Sequence, residues 1–176
     1  MEPVTLDLLL EFLHRLGERF PFPGSVYLLG GSALCLLGNP RVTQDVDYTY
    51  ELNPEAAQTF ENVVAKLADE MHLDLESVPL GEFIPLPPLA YERRRSVGRF
   101  GQLDVYIFDP YSIALSKIAR GFEADLEDVL FMLDANLIEF VELERLFQAI
   151  LPDAPKADID RQEFTTYFEE VRHRAG

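Results

Sequence analysis

The most constraining feature of the chain is a short apolar run, Val26-Tyr27-Leu28-Leu29, cut off by Gly30-Gly31. A few consecutive apolar residues bounded by turn-formers suit a strand buried on both faces. Ser32 to Leu37 then has room for fewer than two helical turns at about 3.6 residues per turn. Gly38-Asn39-Pro40 stops it, because glycine favours a helix C-cap and the residue before proline avoids the helical region. Beyond that stop, Asp45 to Tyr50 alternates and carries the β-favouring residues Val46, Tyr48 and Thr49. The chain is therefore committed early to strand, tight turn, short helix, strand.

The flanking segments extend this pattern. Leucines 6, 9, 10, 13 and 16 form one apolar stripe of a helix over Thr5 to Phe20. Asn53-Pro54 is a helix cap followed by proline at the first helical position, and Phe60, Val63, Val64, Leu67 and Met71 mark the helix behind it. Four prolines and a glycine break His72 to Pro88, within which Glu82-Phe83-Ile84-Pro85-Leu86 reads as an edge strand. Two further strands are expected at Tyr91–Val97 and Leu103–Phe108, joined by a hairpin turn at Gly98-Arg99-Phe100-Gly101. Asp109-Pro110 caps the next helix as Asn53-Pro54 does, and the remainder is helical. The expected fold class is α/β (α+β): a small mixed sheet covered by helices, with a core over 1–109 and a helical region over 110–176.

Composition narrows the range of functions. With 48% hydrophobic and 26% charged residues the chain reads as a soluble globule. No apolar run reaches membrane-spanning length, and Met1-Glu2-Pro3-Val4-Thr5 lacks the basic region and apolar core of a secretion signal, which points to the cytosol. The single cysteine, Cys35, excludes an intramolecular disulfide and reads as a small buried hydrophobe among leucines. Fifteen basic residues against 31 acidic ones give a net charge of −16. A field of that sign repels polyanions at long range and argues against broad, non-specific nucleic-acid binding.

The candidate chemistry lies in carboxylates. Residues two apart on a strand point to one face, so Asp45 and Asp47 project side by side. Adjacent carboxylates repel unless a cation lies between them, and all-oxygen ligation suits magnesium or manganese. Asp104, between Leu103 and Val105, joins them if its strand lies alongside. Gly30-Gly31-Ser32 offers a close backbone approach and a helix start, suited to the phosphates of a nucleoside triphosphate. Taken singly, Asp-x-Asp is better explained by the solvated face of an edge strand and Gly-Gly-Ser by a plain turn. Their succession is what points to a metal–nucleotide site.

Taken together, these residues resemble the nucleotidyltransferase superfamily of DNA polymerase beta. Its minimal signature is Gly-Gly/Ser, a spacer, Asp-x-Asp or Asp-x-Glu, and a third carboxylate on a later strand. Arg41-x-Thr43-x-Asp45-x-Asp47 is similar in particular to the AbiEii-type toxin branch and to related uncharacterised bacterial nucleotidyltransferase-like proteins. The resemblance covers about Val26 to Leu133. It implies nucleotide binding at Gly30, Gly31, Ser32, Arg41 and Thr43, with metal ligation by Asp45, Asp47 and Asp104. It also implies a catalytic, nucleotide-binding lysine and a catalytic aspartate on the following helices, met by Lys117 and Asp125, beside catalytic roles for Asp45, Asp47 and Asp104, and a place in a toxin–antitoxin or phage-defence system. Relatives often carry Lys-Asp where this chain has Ala124-Asp125.

On its own geometry Lys117 lies beside the apolar face of its helix, Asp125 at the edge of the next helix's stripe, and Asp128 nearly opposite that stripe. Arg93-Arg94-Arg95 with Arg99 is a basic cluster in an acidic protein, suited to an RNA end or an acidic partner surface, or else to a charged strand edge. The expected activity is Mg²⁺- or Mn²⁺-dependent transfer of a nucleoside monophosphate from an NTP to the hydroxyl of an RNA, a protein or a small molecule. The alternative is a catalytically degenerate nucleotide-binding or protein-interaction domain.

Overall fold

In the computed structural model, which describes residues 3–41, 43–81 and 83–176, the chain divides into two compact units. The first comprises Met1–Val78 and Arg95–Phe108; the second comprises Pro79–Arg94 and Asp109–Gly176. The proline-broken segment thus belongs with the C-terminal helices, where a division after residue 109 had been expected.

The first unit is a five-stranded mixed sheet with helices. Thr5 caps α1 (Leu6–Arg19) by accepting from the Leu8 amide at 3.2 Å. β1 (Gly24–Leu29) leads directly into α2 (Gly30–Leu36), which starts two residues earlier than the sequence pattern suggests. β2 (Asp45–Leu52) runs antiparallel to β1, with Leu29 opposite Asp47 and Leu28 opposite Tyr48. Asn53 caps a single 3-10 turn at Pro54–Ala56 before α3 (Ala57–Met71). His72, in the left-handed conformation, ends α3. A strand that sequence reading missed follows: β3 (Asp74–Ser77) pairs parallel with β2, placing Glu76 opposite Asp47.

β4 (Arg95–Phe100) and β5 (Leu103–Ile107) form the expected hairpin, but its turn is Gly101-Gln102 and Gly98 lies within β4 at a register shift. β5 also pairs parallel with β1, which gives the order β3-β2-β1-β5-β4. Phe60 of α3 packs on Tyr48 and Tyr50, so α3 covers the face of β2 opposite Asp45 and Asp47. Leu9, Phe12, Leu13 and Leu16 bury the stripe of α1.

The second unit contains α4 (Pro110–Arg120), α5 (Glu123–Asp134), α6 (Phe140–Ile150) and α7 (Arg161–Ala175). Its centre includes Phe147 stacked on Phe168 at 4.1 Å and meeting Phe164 edge-on. Phe83–Leu86 is not a strand, since Pro85 cannot donate to a ladder and the chain bends at Phe83 and Ile84; Glu82 lies outside the described residues. Tyr91–Arg93 is a 3-10 turn where a strand was expected. Among the described residues no helix is long and apolar enough to cross a membrane.

Candidate metal and nucleotide site

The short helix after β1 turns the chain back so that β2 begins beside it, and two glycines make this possible. Gly30 has φ +60°, and a Cβ on it would lie 2.6 Å from Asp47 Oδ2. A Cβ on Gly31 would lie 2.6 Å from Thr43 Oγ1. The space that a side chain would need is therefore filled by the carboxylate and by the threonine that precedes it. These glycines serve first to bring the turn against Asp47 and Thr43.

Thr43 acts as a brace. Its carbonyl accepts from the Val4 amide at 2.8 Å, and its hydroxyl donates to the Asp45 carbonyl at 3.3 Å, with Asp45 Oδ1 at 3.5 Å. Ser32 is buried and its hydroxyl donates to the Leu29 carbonyl at 2.9 Å, which ties the helix back onto β1. Arg41 is exposed, its amide donating to Asn39 Oδ1 at 3.2 Å; Val42 lies outside the described residues.

Strand pairing then assembles an acidic trio. Asp45, Asp47 and Glu76 each offer a carboxylate oxygen, and these oxygens lie within 4.8 Å of one another. Asp45 and Asp47 are half-buried and Glu76 is exposed. Three carboxylates this close repel one another unless a positive charge lies among them, and the all-oxygen donor set suits a hard divalent cation. The residues present fit such an ion.

Asp104 is not brought to this group. It pairs with Ser25 on β1, whereas Asp47 pairs with Leu29. The two aspartates are four register positions apart, about 13 Å along the strands, and two strands or about 10 Å across the sheet. Opposite Asp104 on β4 stands Arg99. The Leu103-Asp104-Val105 pattern marks a strand but says nothing about how far along the sheet the residue falls. Glu76 supplies the nearby third carboxylate, and its only local signal was the alternation Leu73-Asp74-Leu75-Glu76 inside a segment dominated by prolines.

In the helical unit Lys117 is buried and donates to Asp128 Oδ2 at 2.8 Å, with Asp125 Oδ1 at 3.8 Å. Asp128, expected on the solvent side of α5, is 2% exposed. The apolar stripe of α5 was too narrow a guide, because a buried lysine recruits both aspartates inward. Arg93, expected on a strand face, is bound instead to Asp109 through Nε at 2.8 Å and Nη2 at 2.7 Å, while Nη1 donates to the Pro88 carbonyl. Asp109 is fully buried and also accepts from the Tyr111 and Ser112 amides and the Ser112 hydroxyl. Arg93 is thus an internal clamp for the segment before β4, and Arg94 donates to the Tyr91 carbonyl at 2.9 Å. Burial pushes the Cys35 thiol pKa up, away from thiolate chemistry.

The five-stranded mixed sheet with its covering helices is the fold of a nucleotidyltransferase-like protein of known structure. The crystal structure of an antigenic nucleotidyltransferase-like protein from Paracoccidioides brasiliensis is similar, with a TM-score of 0.51 at 20% identity over 76% of this chain and 78% of that chain. The chain belongs to the family described as nucleotidyltransferase of unknown function (DUF6036), matched over residues 7–175. That match supports the superfamily and not the AbiEii branch. No protein of curated function matches the chain.

Proposed function

We propose that the protein is a divalent-metal-dependent nucleotidyltransferase that moves a nucleoside monophosphate from an NTP to an acceptor hydroxyl. The observation that carries this reading is the carboxylate trio Asp45, Asp47 and Glu76, with ligand oxygens within 4.8 Å of one another, in a chain of this family. These three residues would hold the cation, Mg²⁺ or Mn²⁺. When bound, it offsets the charge of the triphosphate and favours ionisation of the attacking hydroxyl.

The chain's own residues do the rest. The acceptor oxygen attacks the α-phosphorus, the bond to the pyrophosphate leaving group breaks, and the hydroxyl proton passes to a carboxylate. Glu76 suits that last role because it is the exposed member of the trio. Gly30 and Gly31 hold the turn against Asp47 and Thr43, which fixes the carboxylate beside the start of α2. Gly30, Gly31, Ser32, Arg41 and Thr43 form the nucleotide side of the site in this reading.

The test is transfer of label from α-labelled ATP and CTP, with Mg²⁺, to total tRNA and to cell lysate. Transfer that disappears in Asp45→Asn and Asp47→Asn while the melting curve is unchanged is the expected result. Full activity in either variant overturns the metal role. A second reading, a nucleotide-binding domain without turnover, is favoured by the engagement of Lys117 with Asp128, which occupies a cation that the family resemblance assigns to phosphates. Calorimetric binding of Mg²⁺-ATP or Mg²⁺-CTP without transfer to any acceptor would decide for it.

A further inference from the structure

Arg120, at the last turn of α4, was not among the residues expected to bind a nucleotide. Its side chain is 61% exposed, yet it is held from two directions. Its Nε lies 3.1 Å from Asp125 Oδ2, and its guanidinium lies over the Phe122 ring at 5.5 Å. Asp125 is 3% exposed and is itself fixed by Lys117 behind it. Among the described residues Asp125 Oδ2 accepts no aligned hydrogen bond, so the contact with Arg120 Nε is Coulombic and leaves the Nη donors of the guanidinium uncommitted there.

An arginine head that is already oriented, with unspent donors in its planar fork, loses little entropy on meeting an anion. Phosphate matches that fork with two parallel charge-assisted hydrogen bonds. Beside it, Phe122 leaves 64% of its surface in water at the α4–α5 corner, among the most exposed large apolar side chains described. An exposed ring next to a poised cation suits a ligand that joins a flat apolar face to a phosphate, because every nucleobase offers a π-face to an aromatic side chain.

We propose that Arg120 and Phe122 form a binding point for a nucleoside phosphate, with the phosphate on the guanidinium and the base against the phenyl ring. Asp125 is then a positioning residue that holds Arg120 by charge, and Lys117 keeps Asp125 in place. The nucleoside phosphate comes either as a free mononucleotide or as the end of an RNA strand. No metal takes part, so the inference stands apart from the carboxylate trio.

The experiment titrates the full chain with AMP, with a hexanucleotide RNA and with tripolyphosphate, all in EDTA, by calorimetry and by NMR of the Phe122 ring protons. Under EDTA the metal-site reading predicts no binding through the trio, so the two readings fail separately. AMP is expected to shift the Phe122 signals, and Arg120→Gln to weaken AMP and tripolyphosphate about tenfold or more. Phe122→Ala is expected to weaken AMP about fivefold and leave tripolyphosphate unchanged. Tighter binding of the hexanucleotide than of AMP assigns the ligand to a strand end; equal or weaker binding assigns it to the free nucleotide. Absence of binding by all three probes, or affinities that Arg120→Gln leaves unchanged, overturns the proposal. Both substituted side chains are largely exposed, so the variants are expected to fold.

Discussion

Gly30 and Asp47 exclude any side chain between them: a Cβ at Gly30 would lie 2.6 Å from the Asp47 carboxylate oxygen. Gly30 also has φ +60°, a conformation that costs other residues about 1–2 kcal/mol. Gly30→Ala is therefore expected to lower unfolding stability by about 2 kcal/mol and to displace Asp47, weakening divalent-cation binding. Denaturant unfolding and a Mn²⁺ titration check the two effects. Unchanged stability with unchanged binding would mean that the turn does not press on the carboxylate.

Lys117 and Asp128 form a buried pair at 2.8 Å. Removing the lysine takes a cation away from two buried carboxylates, Asp128 and Asp125, so Lys117→Met is expected to cost about 3–5 kcal/mol. Lys117→Met combined with Asp128→Leu should recover part of that loss, because a buried pair can be exchanged for apolar groups of similar size while Asp125 keeps Arg120 beside it. Thermal melts of the single and double variants measure this. A Lys117→Met protein that melts like the parent yet has lost transfer activity would make the lysine a substrate contact.

Tyr48 and Tyr50 pack against Phe60, and the Tyr48 hydroxyl donates to Glu61 Oε2 at 3.2 Å. Burial, followed by the charge of Glu61 and the hydrogen bond, raises the Tyr48 pKa well above the usual phenol range. Burial and Glu61 push Tyr50 up to about 12. Unfolded tyrosines ionise near pH 10. The stability these neutral phenols contribute is therefore complete below about pH 10 and is lost as pH rises toward and through their folded values. Ultraviolet titration should show these two of the seven tyrosines ionising late and together with unfolding. Independent, early ionisation of all seven would contradict this.

Much of the first unit was legible because its signals are local. A capped stripe marked α1, a glycine pair ended β1, and alternation located β2. What stayed hidden depended on pairing between distant residues. β3 is four residues long and gains its place from β2 across the whole of α3, so Glu76 had no local signature. Asp104 lies on the strand expected at Leu103–Phe108, but its position along the sheet is set by the β1–β5 register. Arg93 looked like a strand residue because its partner, Asp109, lies beyond the β4–β5 hairpin. Asp128 looked solvated for the same reason, since Lys117 sits on another helix.

The most direct measurement is a Mn²⁺ titration followed by electron paramagnetic resonance, with the parent protein compared with Asp47→Asn, Glu76→Gln and Asp104→Asn. A trio formed by Asp45, Asp47 and Glu76 predicts that the parent binds Mn²⁺ and that Asp47→Asn and Glu76→Gln weaken binding about tenfold or more. It also predicts that Asp104→Asn binds like the parent. Loss of binding in Asp104→Asn with full binding in Glu76→Gln, or no binding by the parent, would contradict the account.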